Sequence, residues 1–167
     1  MRARELGLRP AFLPLAWVVL HLVKTATSYQ GGVLSDRVGR RPVLAAGWLL
    51  YAGVYFGFSF LGSLALLWVL FAVYGLFFGA TEGVAKAFVA DLVPKGARGT
   101  AFGKLGMLEG LVLIPTSVLV GYLWDRTGSG HLPLLLNAVF ALAAAVWLLV
   151  MVRTPKHSAT PGVGAAR

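Results

Sequence analysis

The sequence contains no cysteine and few charged residues. Because none of its 167 residues is a cysteine, the chain has neither a disulfide framework nor a thiolate metal site. Charged residues make up 13% of the chain and hydrophobic residues 58%, whereas about a quarter of a soluble domain is charged. Acidic residues are the scarcest charged type, with 6 against 15 basic residues. This composition excludes an ordinary soluble domain and predicts an all-α, polytopic membrane protein.

Motifs of enzyme active sites are also missing. The sequence has no H-E-x-x-H, G-x-x-x-x-G-K-[ST] or G-x-S-x-G pattern, and no group of histidines and carboxylates has metal-ligand spacing. The formal charge is +9, but the basic residues are scattered in short segments between apolar runs and do not line one polar face. We therefore predict no enzyme activity, cofactor, metal site or nucleic-acid partner, and we assign the positive charge to membrane topology.

Five apolar runs are each long enough to cross a bilayer, which requires about 20 residues. Turn signals and charged residues separate the runs, so the chain is predicted to hold five transmembrane helices and no soluble domain. The predicted helices run from Ala11 to Gly31, Pro42 to Leu61, Leu64 to Leu92, Ala101 to Tyr122 and Leu132 to Met151.

The segment from Gly32 to Arg41 separates the first two apolar runs and reads G-V-L-S-D-R-V-G-R-R. It holds one carboxylate, three guanidinium groups and two glycines within ten residues. Hydrocarbon does not accept that density of charge. The segment is therefore predicted to be an interhelical loop that lies in water or among lipid headgroups.

Two segments resemble motifs of the major facilitator superfamily. One is the family's signature loop, G-x-L-x-D-[RK]-x-G-[RK]-[RK], which joins the second and third helices of each six-helix half. The other is the D-x-x-P-x-x-x-R-G connection between helices ten and eleven. The matching residues are Gly32, Leu34, Asp36, Arg37, Gly39, Arg40 and Arg41 in the signature, and Asp91, Pro94, Arg98 and Gly99 in the connection. The resemblance implies that the five helices correspond to helices eight to twelve, part of the family's C-terminal six-helix bundle.

The resemblance also implies a domain layout. Residues 1–9 would be the remnant of an outer loop, residues 10–152 the five-helix transmembrane domain, and residues 153–167 a cytoplasmic tail, which its composition predicts to be disordered. With the signature loop inside, eight basic residues lie inside and four outside, in agreement with the positive-inside rule. We expect a multi-pass protein of the inner (plasma) membrane and a C-terminal fragment of a longer transporter.

Apart from Asp91 at the end of the third run, five charged residues lie within the apolar runs, at Lys24, Glu82, Lys86, Lys104 and Glu109. Each costs about 2.5 to 3.5 kcal/mol at the centre of a spanning helix, so such residues normally face a cavity or another helix. Counted along the helices, three of them lie about 15 Å from the cytoplasmic face. We predict that Lys24, Glu82, Lys86 and Glu109 line a substrate or ion pathway. The alternatives are a static ion network and, for Lys104, snorkelling to the membrane surface.

The same charges divide the helices into two sets. The first, third and fourth runs carry them, and the second and fifth carry none. The resemblance implies the same division, because helices eight, ten and eleven line the central path of the family and helices nine and twelve lie outside. We therefore expect the second and fifth helices to face lipid.

Glycines recur along the third and fourth runs at spacings of three or four residues. Small residues at this spacing let another helix approach closely. We therefore predict close helix packing along both runs, and a kink where Pro115 interrupts the hydrogen bonds of the fourth run. The glycines are Gly75, Gly79 and Gly83 in the third run, and Gly99, Gly103, Gly106 and Gly110 in the fourth.

The function that the resemblance implies is secondary active transport of a small solute by alternating access, driven by a proton or ion gradient. The signature residues would form a conformational latch, in which Asp36 faces a helix N-terminus in the opposite half. The expected partners are membrane lipids, a substrate of unknown identity, protons or ions, and the missing N-terminal half. The alternative is a non-transporting small membrane protein or a truncated gene remnant. The signature loop does not identify the substrate.

Overall fold

A computed structural model of the protein describes residues 9–152. Within this range the chain forms five α-helices and two single 3₁₀ turns, Pro10–Phe12 and Lys95–Ala97, and no strand. The helices are α1 (Leu13–Val38), α2 (Arg40–Ser59), α3 (Leu64–Leu92), α4 (Arg98–Thr127) and α5 (His131–Met151). The predicted all-α, five-helix architecture is confirmed. The predicted tail and all of the predicted outer loop except Arg9 lie outside the described residues.

The observed helices are mostly longer than the apolar runs. The bounds of α3 agree with the prediction, and α5 begins one residue earlier than predicted, at His131. By contrast, α4 begins three residues before the predicted Ala101 and ends five residues after the predicted Tyr122. Apolar runs mark the part of a helix that crosses hydrocarbon, whereas the helix itself continues into the polar headgroup region until its hydrogen bonds are interrupted.

The signature segment is not a loop, and that prediction is wrong. Residues 32–38 form the last two turns of α1, and only Gly39 separates α1 from α2. Gly39 has φ 94° and ψ 152°, a conformation that essentially only glycine adopts. Its N–H donates to the carbonyl oxygen of Ser35 at 3.0 Å. The charged residues before Gly39 do not end the helix, because a helix accepts charged side chains that face water.

Contacts between helix ends show that the helices alternate in direction. The end where α1 meets α2, which we call the Gly39 end, also holds the end of α3 and the end of α5, because Arg40 contacts Asp91 and Arg41 contacts Leu148. At the opposite end Ser59 contacts His131. The charges of the signature segment therefore lie at one end of an antiparallel bundle.

Close packing between α1 and α3 is built from glycine, as predicted for α3. A Cβ atom added to Gly79 would lie 2.8 Å from the carbonyl oxygen of Lys24, and one added to Gly31 would lie 2.7 Å from the Cα of Ala80. Gly75 is likewise buried against the backbone of Leu20. These distances are shorter than van der Waals contact, so only glycine allows the two backbones to approach this closely.

The prediction of close packing is wrong for α4 and for Gly83. Within residues 9–152, every residue of α4 is at least partly exposed. Of the other described helices, only α3 and α5 make more than isolated contacts with α4. No described neighbour lies within 4 Å of a Cβ added to Gly83, or to any of the α4 glycines Gly99, Gly103, Gly106 and Gly110. Glycine spacing predicts that a helix could pack closely, but a partner must also be present. The helix α4 runs without interruption through Pro115, and its predicted kink stays a prediction.

Among the described residues, α2, α3, α4 and α5 are each long and apolar enough to cross a membrane. The first helix, α1, has 26 residues and a length of about 39 Å, but a polar stretch from Lys24 to Gln30 makes it less apolar. The helix that ends in the signature segment is therefore not among these four described helices, whereas the sequence predicted five spans.

Candidate functional site

A cluster of three charged side chains joins α1 to α3 near the middle of α1. The ammonium group of Lys24 forms an ion pair with Oε2 of Glu82. Nζ of Lys86, one turn further along α3, lies 3.2 Å from Oε1 of the same carboxylate. We refer to Lys24, Glu82 and Lys86 as the ion cluster. The structure therefore brings together three of the four residues predicted for the pathway.

Lys24 is also placed against an aromatic ring. Its ammonium nitrogen lies 5.7 Å from the centroid of the Phe78 ring, on the same helix as Glu82. A cation at this distance from a ring face is attracted to it, more strongly where water is excluded. The carboxylate and the ring together hold the cation of α1 against α3.

The fourth predicted residue, Glu109, lies apart from the ion cluster on α4. It lines the same cleft as Glu82 and Lys86, but within residues 9–152 it forms no ion pair. The prediction from helical rise concerned depth alone. Depth along two helices does not determine which side chains meet, because that depends on the separation and rotation of the helices.

The cleft lies between α2, α3 and α4 and has a volume of about 790 Å³. Its walls are mostly apolar and aromatic, and its polar lining groups are Thr81, Glu82, Lys86 and Glu109. Pockets that hold small organic molecules have volumes of about 300 to 1,000 Å³ and combine apolar walls with a few polar groups. The aromatic residues of the cleft are Trp48, Phe77, Phe78 and Phe102.

The expectation that α2 faces lipid is wrong for one side of this helix. Leu44 and Trp48 of α2 line the cleft, whereas no residue of α1 does so. The prediction relied on charged residues as the mark of a cavity helix. Because α2 contributes aromatic and aliphatic side chains to the cleft, its composition resembles that of a lipid-facing helix. For α5, the structure places no residue in the cleft.

A group of tyrosines between α2 and α3 was not identified from the sequence. The rings of Tyr51 and Tyr55 stack with centroids 4.4 Å apart, and the hydroxyl groups of Tyr55 and Tyr74 lie 3.4 Å apart. The ring of Phe77, which lines the cleft, lies 4.9 Å from that of Tyr51. The spacing of four residues between Tyr51 and Tyr55 places them on one helical face and could have revealed the group.

At the Gly39 end, two signature arginines connect α2 to neighbouring helices. Nη1 of Arg40 lies 2.7 Å from Oδ2 of Asp91 and also donates to the carbonyl oxygen of Ala87. Nε of Arg41 donates to the carbonyl oxygen of Leu148 at 3.0 Å, and its Nη2 donates to that of the next residue. Asp91 is the first residue of the motif that resembles the family's connection between helices ten and eleven. The carbonyl groups at the end of α5 were not expected as partners, because sequence spacing says nothing about which helix ends meet.

The other signature residues are placed differently. Asp36 and Arg37 are exposed at the end of α1, and within residues 9–152 neither forms an ion pair. Gly32 is half-buried, with open space where a Cβ would lie. The structure thus leaves Asp36 accessible to a partner, and its predicted role as a latch stays a prediction.

The predicted connection between the third and fourth helices forms a short turn. Pro94 precedes the 3₁₀ turn Lys95–Ala97, whose last N–H donates to the Pro94 carbonyl oxygen at 2.9 Å. Arg98 begins α4, and its Nε is buried with no hydrogen-bond partner among the described residues. Gly99 and, further along α4, Lys104 are exposed. The exposure of Lys104 is compatible with snorkelling.

At the opposite end of the bundle, a hydrogen-bonded pair joins α2 to α5. Oγ of Ser59 lies 2.7 Å from Nδ1 of His131 and donates to its carbonyl oxygen at 3.0 Å. Ser59 is fully buried. In the described part of the chain, no group of three histidine, aspartate or glutamate residues could hold a metal ion.

Comparison with known proteins agrees with this geometry. Residues 2–166 match the model of the Major Facilitator Superfamily. The chain is 36% identical over 138 residues to an MFS-type transporter of Methanocaldococcus jannaschii, a match that covers 82% of this chain and 34% of that protein. It is 34% identical over 130 residues to the class G tetracycline resistance protein of Vibrio anguillarum, covering 76% of this chain and 32% of that protein.

A more distant relative is the quinolone resistance protein NorA of Staphylococcus aureus, 23% identical over 161 residues, a match that covers 95% of this chain and 40% of NorA. The chain therefore spans about a third of the length of its curated relatives. Membership of a family of transporters agrees with the expectation that the chain is not an enzyme. Taken with its apolar helices and the signature segment at one end of the bundle, the match over residues 2–166 shows that this chain is a multi-pass membrane protein of the major facilitator superfamily.

Proposed function

We propose that the chain is the C-terminal portion of a secondary active transporter that moves a small organic solute across the inner (plasma) membrane by alternating access. The observation that carries this proposal is the cleft between α2, α3 and α4, three helices long and apolar enough to cross a membrane, where the charged side chains of Glu82, Lys86 and Glu109 lie beside apolar and aromatic walls. Transporters of this kind bind their substrates near the midplane of the membrane, between helices. Two relatives bear names that refer to resistance to tetracycline and to quinolones, which supports a small organic solute as the cargo.

The depth of the charged groups supports a pathway through the cleft. Lys24 lies ten residues before Leu34, Glu82 ten before Leu92 and Glu109 ten after Gly99, which places each about 15 Å from the membrane surface at the Gly39 end. Ionised groups at this depth are costly in lipid and are normally found where they line a cavity. Glu82 and Glu109 line the cleft, whereas Lys24 is connected to it only through its ion pair with Glu82. Ionised groups that line a cleft at this depth suit a site that is reached from either side in turn.

Coupling to a proton or ion is assigned to Glu109. Two ammonium groups neutralise Glu82 within the ion cluster, whereas Glu109 has no charged partner within residues 9–152. A bound proton or cation would balance the charge of Glu109 in a site of low polarity. Glu109 is therefore the group whose charge state is expected to change during the transport cycle.

The latch is assigned to the end of α1. Asp36 is exposed at the Gly39 end, where a carboxylate would stabilise contact with the N-terminus of a helix in another half of the transporter by about 0.3 to 1 kcal/mol. Arg40 and Arg41 hold this end of α2 against α3 and α5. A movement of α1 or α2 would therefore be transmitted through the C-terminal bundle.

The test is proton-driven transport in vesicles that contain the chain as encoded at its native locus, including any in-frame sequence upstream of Met1. A panel of small organic solutes is compared between the wild type, Glu109→Gln, Glu82→Gln and Lys104→Gln, the last serving as a matched control on α4. We expect Glu109→Gln to abolish the dependence on the proton gradient, Glu82→Gln to reduce transport and the control to behave as wild type. Normal gradient-driven transport by Glu109→Gln would refute the coupling role. A native gene product that inserts correctly and transports none of the panel would favour the non-transporting membrane protein or gene remnant.

A further inference from the structure

The walls of the cleft favour a flat aromatic ligand. Four aromatic side chains from three helices line it, and they belong to Trp48, Phe77, Phe78 and Phe102. Aromatic rings pack well against other rings in stacked or edge-to-face arrangements. Their number and their placement on all three sides suit a fused ring system better than a linear or highly hydrated molecule.

Few neutral polar groups are available in the cleft. Among its lining residues, the one hydroxyl group is that of Thr81, and it donates to the carbonyl oxygen of Phe77 at 2.7 Å. A sugar or polyol needs many hydrogen bonds to replace those it makes with water. The cleft does not offer them, which argues against a polyhydroxylated ligand.

The charges of the cleft form two separate poles. Lys24 and Lys86 share the single carboxylate of Glu82, which leaves the ion cluster with one positive charge in excess. We assign the excess positive charge to Lys86, because Lys86 is the lysine of the ion cluster that lines the cleft and its side chain is 62% exposed. On α4, Glu109 supplies one negative charge without a partner in residues 9–152. Counted together, the four groups are neutral, with a positive pole on α3 and a negative pole on α4.

From these features we infer that the cleft binds an aromatic zwitterion. The cationic group of the ligand pairs with Glu109, its anionic group pairs with Lys86, and its ring system lies among the four aromatic side chains. This inference rests on the proposed function, since it names the class of substrate that the same cleft would carry. A ligand with a single charge pairs with only one pole of the cleft, whereas a zwitterion pairs with both and so gains a second charge-assisted contact.

The test measures binding, not transport, and uses three related dyes. Rhodamine B carries both a cationic charge, delocalised over its diethylamino-substituted xanthene rings, and a carboxylate; its ethyl ester carries only the cation, and fluorescein is anionic. The full 167-residue chain is placed in lipid nanodiscs, and binding is followed by fluorescence polarisation with empty nanodiscs subtracted. We expect rhodamine B to bind at least about tenfold more tightly than its ester, a difference of about 1.4 kcal/mol. Fluorescein should bind more weakly than rhodamine B.

Variants assign each pole of the ligand to a residue. Lys86→Gln should reduce the preference for rhodamine B over its ester to about onefold. Glu109→Gln should weaken both dyes about tenfold and leave their ratio unchanged. Glu109→Asp keeps the charge and should retain most of the binding, which separates loss of charge from loss of folding. Lys104→Gln, on α4 but outside the cleft, is the matched control and should bind as the wild type does.

Several results would overturn the inference. These are an ester that binds as tightly as rhodamine B, a Lys86→Gln variant that keeps the preference, or a wild-type chain that binds none of the dyes. Binding and transport can fail independently. If the chain distinguishes the dyes but shows no gradient-driven transport, the ligand class is supported and the proposed function is refuted. If the chain transports a solute but does not distinguish the dyes, only the ligand class is refuted.

Discussion

The contact between Gly79 of α3 and α1 can be tested by adding a single methyl group. A Cβ at Gly79 would lie 2.8 Å from the carbonyl oxygen of Lys24, whereas ordinary van der Waals contact begins at 3.4 Å. The added Cβ would also meet Oγ1 of Thr27. Because the Lys24 oxygen belongs to the backbone of α1, the two helices must separate by about half an ångström or more to accept the methyl group. Overpacking of this kind costs about 1 to 3 kcal/mol.

Gly83, one turn further along α3, provides the matched control. No described neighbour lies within 4 Å of a Cβ added at that position. Alanine in place of glycine should stabilise a helix by about 0.5 to 1 kcal/mol through backbone entropy, equally at both positions. The difference between Gly79→Ala and Gly83→Ala therefore isolates the cost of separating α1 from α3.

The assay is unfolding by SDS of the protein in mixed micelles, followed by circular dichroism. We expect Gly79→Ala to lower the free energy of unfolding by about 1 to 3 kcal/mol relative to Gly83→Ala. Since the displaced backbone atom belongs to Lys24, Gly79→Ala should also disturb the pair between Lys24 and Glu82 and weaken binding in the cleft. Equal stabilities for the two variants would refute the packing of α1 against α3 described above.

Three further predictions concern the Gly39 end and the ion cluster, with stability measured in the same assay. Gly39→Ala should destabilise the protein by about 1 to 3 kcal/mol, because φ 94° and ψ 152° are unfavourable for alanine; unfolding at the wild-type SDS fraction would contradict this. A double-mutant cycle of Arg40→Gln and Asp91→Asn should give a coupling of about 0.2 to 1 kcal/mol, since both side chains are partly exposed; a coupling near zero would show that the pair does not contribute. Lys24→Met should be less destabilising than Glu82→Gln, because Lys24→Met leaves Glu82 paired with Lys86, whereas Glu82→Gln leaves two lysines without their carboxylate; a larger loss of stability in Lys24→Met would contradict the shared carboxylate.

The predictions made from the sequence succeeded where they depended on local properties. The bounds of α3 followed from the length of its apolar run, and in the structure the Ser63 side chain accepts a hydrogen bond from the N–H of Leu66 at the start of this helix. The proximity of Lys24 and Glu82 agreed with their equal depth, which is a count of residues multiplied by a constant rise. The signature segment identified the family, but the density of its charge wrongly predicted a loop, because charged residues end a membrane span without ending a helix.

Features that depend on neighbouring helices could not be derived in this way. The glycines of α3 and α4 have similar spacing, yet Gly79 lies against the backbone of α1 while Gly106 lies in open space on the side of α4 facing the cleft. Trp48 lines the cleft although its helix carries no charge within its apolar run. In both cases the residue type allows more than one environment, and the position and rotation of the next helix decide between them.

The sequence by itself determined that this protein is a helical membrane protein, that it has five helices and to which family it belongs, because hydropathy, helical rise and a contiguous motif are all local along the chain. Only the tertiary structure decided that Glu82 is shared by two lysines while Glu109 is left on the far side of the cleft, and that Arg41 binds the end of α5. The physical reason is that an α-helix sets the depth of a side chain through its constant rise, whereas packing between helices sets which side chains meet.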